Sequence, residues 1–242
     1  MDNRKRKILL LVEGEKTDVA LMERLLTVYQ MDIKYEIVSY KTSIYELYRE
    51  MFEDNDPASM DLLQVLKSHE SEPKEKAKFD DSYSDILLIF DLDPHYHLFS
   101  PEKIKRMADY FVESSDMGKL YINYPMVEAF YHMSSIPDPN YDSYFATLDE
   151  LIAGEYKARV NCENRNHDYR KFAVTKEECN IVIRQNIHKA WRLIGHAPED
   201  NLLPEQLAVL NVQLSAVHDE RRVAVLSTCP FFIPEYNPNL IR

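Results

Sequence analysis

Glycine is scarce in this chain, with four among 242 residues. That excludes the glycine-rich loops that cradle nucleotide phosphates: neither a P-loop nor a dinucleotide fingerprint occurs. Cysteine is scarcer still. Cys162, Cys179 and Cys229 are an odd number without close spacing, which argues against a disulfide framework and a cysteine-built zinc site. Long apolar runs are missing too. The longest, Ile8–Val12 and Ile86–Phe90, fall far short of the roughly 18 residues a membrane span needs. The basic start leads from Met1 through Lys7 into a strand-like run with no small-residue cleavage site, so it does not read as a secretory signal. The expected location is the cytoplasm, with no membrane partner.

Positive charge is in deficit. The formal net charge of −12 argues against a surface that binds nucleic acid indiscriminately. It does not exclude a nuclease, because a site that holds metal ions must itself be acidic. The charge is also unevenly spread. Glu50 to Asp93 carries thirteen Asp/Glu against four Lys, whereas Lys157 to Arg192 carries nine Lys/Arg against four Asp/Glu. Either block alone reads as a solvated face; together they suit a metal site beside an anion-binding surface.

What the chain does contain is enough apolar residue, 45%, to bury a substantial core in one large domain or two small ones. Lys5–Val12 reads as a buried parallel strand, followed by a turn at Glu13-Gly14-Glu15. Thr17 and Asp18 are the expected N-caps of a helix through Tyr29, with Val19, Met22, Leu25, Leu26 and Tyr29 at helical spacing. Ile33–Ser39 alternates like a strand, Ser43–Phe52 reads as a helix, and Leu62–Leu66 as a short one. Ser71–Asp81 has no apolar period and is expected to be an exposed loop. Asp85 to Phe90 predicts a central strand, ending at Asp91-Leu92-Asp93 before Pro94. A helix from Ser100-Pro101-Glu102 through Ser114, a strand at Leu120–Asn123 and a helical segment from Pro125 complete a strand–helix alternation. This is the pattern of a mostly parallel α/β sheet flanked by helices, over residues 1–135. Residues 136–242 are expected to form a mainly helical extension, with helices at Leu148–Ile152, Lys176–Ile194 and Pro204–Leu226.

In an open parallel sheet, function gathers at the carboxyl ends of the strands. Those ends carry Glu13 after the first strand and Asp91 and Asp93 after the central one. Three converging carboxylates would repel one another and bind cations, and oxygen-only ligation favours Mg²⁺, with Mn²⁺ as a substitute. Gly14 would let the chain turn sharply and a phosphate approach. Lys16 is a candidate to hold phosphate. So are Arg165, Arg170 and Lys171, which interleave with Tyr169, and the helix-spaced Arg184, His188 and Arg192. His95 and His97 flank the Asp91–Asp93 turn. Each of these also has a plain surface or capping reading.

The pair Leu11-Val12-Glu13-Gly14 and, about eighty residues later, Phe90-Asp91-Leu92-Asp93 resembles the TOPRIM domain of topoisomerases, bacterial primases, RNA-maturation nucleases and OLD nucleases. Asn123-Tyr124-Pro125-Met126-Val127-Glu128-Ala129-Phe130 is similar to a segment of RloB-like proteins. It departs from them in the Tyr124 inserted before Pro125 and in Phe130 where they have Trp. Those proteins and the AriB-type effectors of the PARIS defence system are stand-alone TOPRIM proteins of anti-phage loci. The resemblance covers Lys5 to His132. It implies a Mg²⁺-dependent endonuclease acting on RNA (tRNA included) or DNA, as a toxic effector controlled by an ATPase partner or by homo-oligomerisation. It also implies roles: Glu13 as metal ligand or general acid/base, Asp91 and Asp93 as metal ligands, and Glu128 as a further acid completing a second metal position. Two other classes stay open. One is a phosphatase of the haloacid-dehalogenase type, whose Asp-x-Asp motif usually lies near the N-terminus. The other is a non-catalytic TOPRIM-like binding subunit.

Overall fold

The computed structural model describes residues 7–31, 34–115, 117–198 and 202–242. Lys5 and Arg6, expected at the start of the first strand, and Ile33, expected at the start of the second, lie outside the described residues. The elements run β1 (Ile8–Val12), α1 (Thr17–Val28), β2 (Tyr35–Ser39), α2 (Ile44–Tyr48), α3 (Leu62–His69), α4 (Pro73–Lys76), β3 (Asp85–Asp91), α5 (Pro101–Tyr110) and β4 (Lys119–Tyr124). There follow β5 (Phe145–Thr147), α6 (Leu148–Ile152), α7 (Tyr156–Glu163), α8 (Lys176–Leu193), α9 (Gln206–Glu220), β6 (Arg222–Ala224), β7 (Leu226–Ser227) and α10 (Phe232–Tyr236). The class is α/β. A five-stranded, mostly parallel sheet has the order β2-β1-β3-β4-β7, and β5 and β6 pair separately. The chain divides into two compact units that interleave in sequence: Met1–Phe90 with Glu102–Leu120, and Asp91–Pro101 with Tyr121–Arg242.

In the first unit, β1 and β3 lie side by side because both are apolar on both faces. Every residue of β1 is buried, as are Ile86 to Phe90 of β3. Such strands bury both faces only in the interior of a parallel sheet, with helices covering it. The register is parallel throughout, with Ile8 opposite Tyr35 and Asp85, and Val12 opposite Ser39 and Ile89. Helix α1 follows β1 and buries Leu21, Met22, Leu25 and Leu26. Its N-cap is Lys16, with no side-chain cap, so Thr17 and Asp18 are first-turn residues and not the expected caps. The Ser43–Phe52 helix continues past α2 as a π-helical turn at Arg49–Glu53. The expected loop at Ser71–Asp81 is instead α4 followed by a 3₁₀ turn at Ala77–Asp80. Pro73 opens it, where a missing N–H costs nothing, and buried Phe79 anchors it.

The second unit is built around α8, whose buried face includes Cys179, Val182, Ile183, Ile187, Ala190 and Trp191. Thr175 caps it through its hydroxyl, which accepts from Glu178 N at 3.3 Å. The helix expected over Pro204–Leu226 stops at Glu220, because Arg221 turns into the left-handed region at φ 51°. The chain then forms β6 and β7, so the C-terminal half contains short strands as well as helices. Cys162, Cys179 and Cys229 are free thiols. Among the described residues, no helix is long and apolar enough to cross a membrane.

One buried charge in this unit makes its stability depend on pH. Lys189 is 1% exposed, and its ammonium donates to Tyr141 O at 2.6 Å and Tyr144 O at 2.9 Å. Desolvation lowers its pKa from 10.5 to about 7, against the opposing pull of Asp138. Above that value the folded chain has shed a proton that the unfolded chain still holds, so stability rises with pH until the unfolded lysine also titrates. Urea denaturation is expected to show this group adding about 2 kcal/mol between about pH 7 and pH 9, and Lys189→Met is expected to abolish that part of the rise.

Candidate metal centre

The parallel register brings the two acid-bearing strand ends to the same level. Glu13 N–H donates to Ile89 O at 3.1 Å, continuing the β1–β3 ladder one residue past β1. Its own carbonyl accepts from Lys41 N at 2.9 Å and Ser39 Oγ at 3.4 Å, so the Glu13 backbone is held from both sides. One carboxylate oxygen from each of Glu13, Asp91 and Asp93 lies within 4.8 Å of the other two. Opposed ligands on Mg²⁺ at ~2.1 Å stand ~4.2 Å apart, so the set has the span one such ion needs. All three donors are oxygens, which suits Mg²⁺ or Mn²⁺ and not the softer metals.

Asp91 is held by a chain of buried amides and hydroxyls. Asn123 Nδ2 donates to Asp91 Oδ1 at 3.1 Å, and Ser227 Oγ donates to Asn123 Oδ1 at 3.1 Å. Asn186 Oδ1 accepts from Ser227 N and from Tyr141 OH, both at 2.7 Å. A carboxylate only accepts, so the Asn123 amide must face it with its nitrogen. That leaves Oδ1 to accept from the serine hydroxyl, while the Ser227 backbone N–H requires an oxygen from Asn186. Asn123, Asn186 and Ser227 are fully buried and Asp91 nearly so. Asp93 leaves the strand in the left-handed region at φ 42°, a conformation aspartate tolerates better than most residues. Its N–H donates to Pro125 O at 3.1 Å and its carbonyl accepts from Tyr96 N at 2.8 Å. The chain therefore turns between Asp93 and Tyr96, with Pro94 and His95 at the centre of the turn.

Gly14 has a steric reason for being glycine. A Cβ there would stand 2.4 Å from Asp18 Oδ2. The buried Asp18 carboxylate folds back against the backbone just after Glu13, and a side chain at position 14 would force it to move. Lys16, beside it, is exposed.

Glu128 is not a member of the three-acid group. It sits on a 3₁₀ turn at Val127–Tyr131 and pairs through Oε1 with Lys157 Nζ at 3.3 Å. Partial desolvation works to lower the Lys157 pKa, but the carboxylates of Glu128, Asp91 and Asp93 outweigh it and hold the ammonium above its ordinary value. His95 is pushed the other way, below its ordinary value, by partial desolvation and then by the charge of Lys157. Sequence reasoning missed Lys157; its only trace there is its place at the head of the basic block.

The remaining candidates are mostly engaged with local acids or carbonyls. Arg165 pairs with Glu178 at 2.7 Å. Arg170 and Lys171 both pair with Asp168, at 3.0 Å and 3.9 Å, and remain exposed. Tyr169 packs its ring 5.5 Å from Tyr131. Arg192 pairs with Asp142, and Arg184 donates to Ile241 O. Arg184 and His188 line one cavity of about 220 Å³ together with Ile187, Leu203 and Arg242. His97 is exposed, its ring 4.4 Å from that of Tyr96.

Compared with known proteins, the chain matches no family model, no curated protein and no solved structure.

The buried chain behind Asp91 predicts a measurable effect at one remove from the ion. Asn123→Ala takes away the donor that orients the carboxylate, and calorimetric titration is expected to show Mg²⁺ binding weakened by about 10- to 100-fold. Unchanged affinity in a variant that stays folded would show that Asn123 does not orient the ligand.

Proposed function

We propose that this chain is a Mg²⁺-dependent nuclease of the TOPRIM type, hydrolysing phosphodiester bonds of RNA or DNA in the cytoplasm as a restrained effector of anti-phage defence. The observation that carries the reading is the convergence of Glu13, Asp91 and Asp93, with one oxygen of each within 4.8 Å of the others. Parallel strand ends are where ligand chemistry gathers in open α/β sheets. The short motifs around these acids are those the TOPRIM resemblance rests on.

In this reading Glu13, Asp91 and Asp93 would hold the ion, which when bound polarises the phosphate and lowers the pKa of a coordinated water. Asn123 keeps Asp91 aimed. Glu13 would take the proton of the attacking water or return one to the departing oxygen as water adds to phosphorus and the P–O ester bond breaks. The exposed Arg170 and Lys171 follow a segment docked on the Glu128 turn, where Asn164 Nδ2 donates to Tyr131 O at 2.6 Å and Arg165 N to Met133 O at 2.9 Å. They are suited to steering a phosphate backbone, although their pairing with Asp168 dilutes the field. Control by an ATPase partner or by self-assembly accounts for a cell tolerating such an enzyme.

The test is cleavage of end-labelled tRNA, single-stranded RNA and plasmid DNA with Mg²⁺, Mn²⁺ or EDTA, comparing wild type with Asp91→Asn. Metal-dependent cutting is expected in wild type, and removing the ligand is expected to cost at least about 10³-fold in rate. Cutting that persists in EDTA, or equally in the variant, would contradict the assignment.

A further inference from the structure

Glu128, the acid to which the TOPRIM resemblance assigns a second metal position, is paired with Lys157 at 3.3 Å. The Glu128 side chain is only 13% exposed, with Oε1 against Lys157 and Oε2 buried without a hydrogen bond. A buried carboxylate keeps its charge only beside a compensating cation. The cation supplied here is the chain's own, and the same ammonium feels Asp91 and Asp93 as well.

The backbone of α7 is fixed against the turn that carries Glu128. His132, fully buried just beyond that turn, has Nδ1 at 3.2 Å from Tyr156 OH and Nε2 at 2.8 Å from Glu163 Oε2. Tyr156 and Glu163 are the first and last residues of α7, so the helix is gripped at both ends. Lys157 follows Tyr156 directly, yet its side chain remains 64% exposed. The root is tied to the turn and the ammonium is open to solvent, the arrangement of a group that can reach an arriving anion without moving the fold.

We propose that Lys157 is the second cation of this site: one divalent ion is held by Glu13, Asp91 and Asp93, Lys157 stands at Glu128 in place of another, and it contacts the phosphodiester. This rests on the reading of the three acids as a Mg²⁺ site. A lysine supplies three donors and a single positive charge, enough to hold a non-bridging phosphate oxygen and to balance charge as the ester bond breaks. When phosphate arrives, the ammonium can share its donors between Glu128 and the substrate. Glu128 is then a positioning residue for Lys157 and not a metal ligand.

The experiment combines calorimetric Mg²⁺ titration with steady-state cleavage, using wild type, Lys157→Met and Lys157→Arg. One ion per chain is expected in all three. Removing a positive charge beside the acids is expected to tighten Mg²⁺ binding in Lys157→Met by about threefold to tenfold. The same variant is expected to lose about 100-fold or more in kcat at saturating Mg²⁺, with partial recovery in Lys157→Arg. A lysine that merely props up the fold would weaken Mg²⁺ binding when removed. Two ions per wild-type chain, weaker binding in Lys157→Met, or cleavage unchanged in it while Asp91→Asn abolishes activity would each overturn this inference and leave the metal reading standing. Absence of Mg²⁺ binding by wild type would overturn both.

Discussion

Repulsion between like charges at short range is the constraint around which the site is organised. Three carboxylates with oxygens within 4.8 Å of one another are not a low-energy arrangement in isolation. Two unit charges at about 4 Å interact by about 4 kcal/mol at the effective dielectric of a protein surface. Something must hold the acids against that cost. On one side it is the apolar β1–β3 ladder, whose residues are buried on both faces and leave the strand ends no freedom to diverge. On the other it is the chain Asp91–Asn123–Ser227–Asn186–Tyr141, whose members are all buried and hydrogen-bonded to one another in turn. Apolar burial sets where the acids sit, and hydrogen bonding sets which way one of them points.

Gly14 and Lys157 belong to the same balance. Gly14 makes room for the Asp18 carboxylate beside Glu13, which adds a further acid near the first strand end. Lys157 brings positive charge toward Glu128, Asp91 and Asp93. A chain with a net charge of −12 has few cations to spare, and most of those in its basic block are spent on nearby acids. A cation left partly exposed beside the acids is therefore more informative than the density of the basic block itself.

The parts of this arrangement that were legible in the sequence are those with a local signature. Ile8–Val12 and Ile86–Phe90 are uninterrupted apolar runs, and a run of that length that ends in an acid reads as a buried strand whatever surrounds it. Glu13 and Asp91 each follow directly from such a run, and Asp93 stands two residues further on. What was not legible depended on distant partners. Asn123 appeared only as part of a motif, because its role requires Asp91 on one side and Ser227 on the other. β6 and β7 are three and two residues long, too short for any period to show, and α9 ends at an arginine and not at a glycine that would mark the stop. Lys157 lies on a helix of eight residues with no distinctive face, and only the folded chain shows it against Glu128.

Glu13, Asp91 and Asp93, from two strand ends, are proposed to hold one divalent cation. Electron paramagnetic resonance titration with Mn²⁺ reads this directly, without a substrate or an activating partner. The account predicts one bound Mn²⁺ per chain, displaced by Mg²⁺, and lost in both Glu13→Gln and Asp91→Asn while circular dichroism shows the fold intact. No bound Mn²⁺ in wild type, or binding that survives in both folded variants, would contradict it.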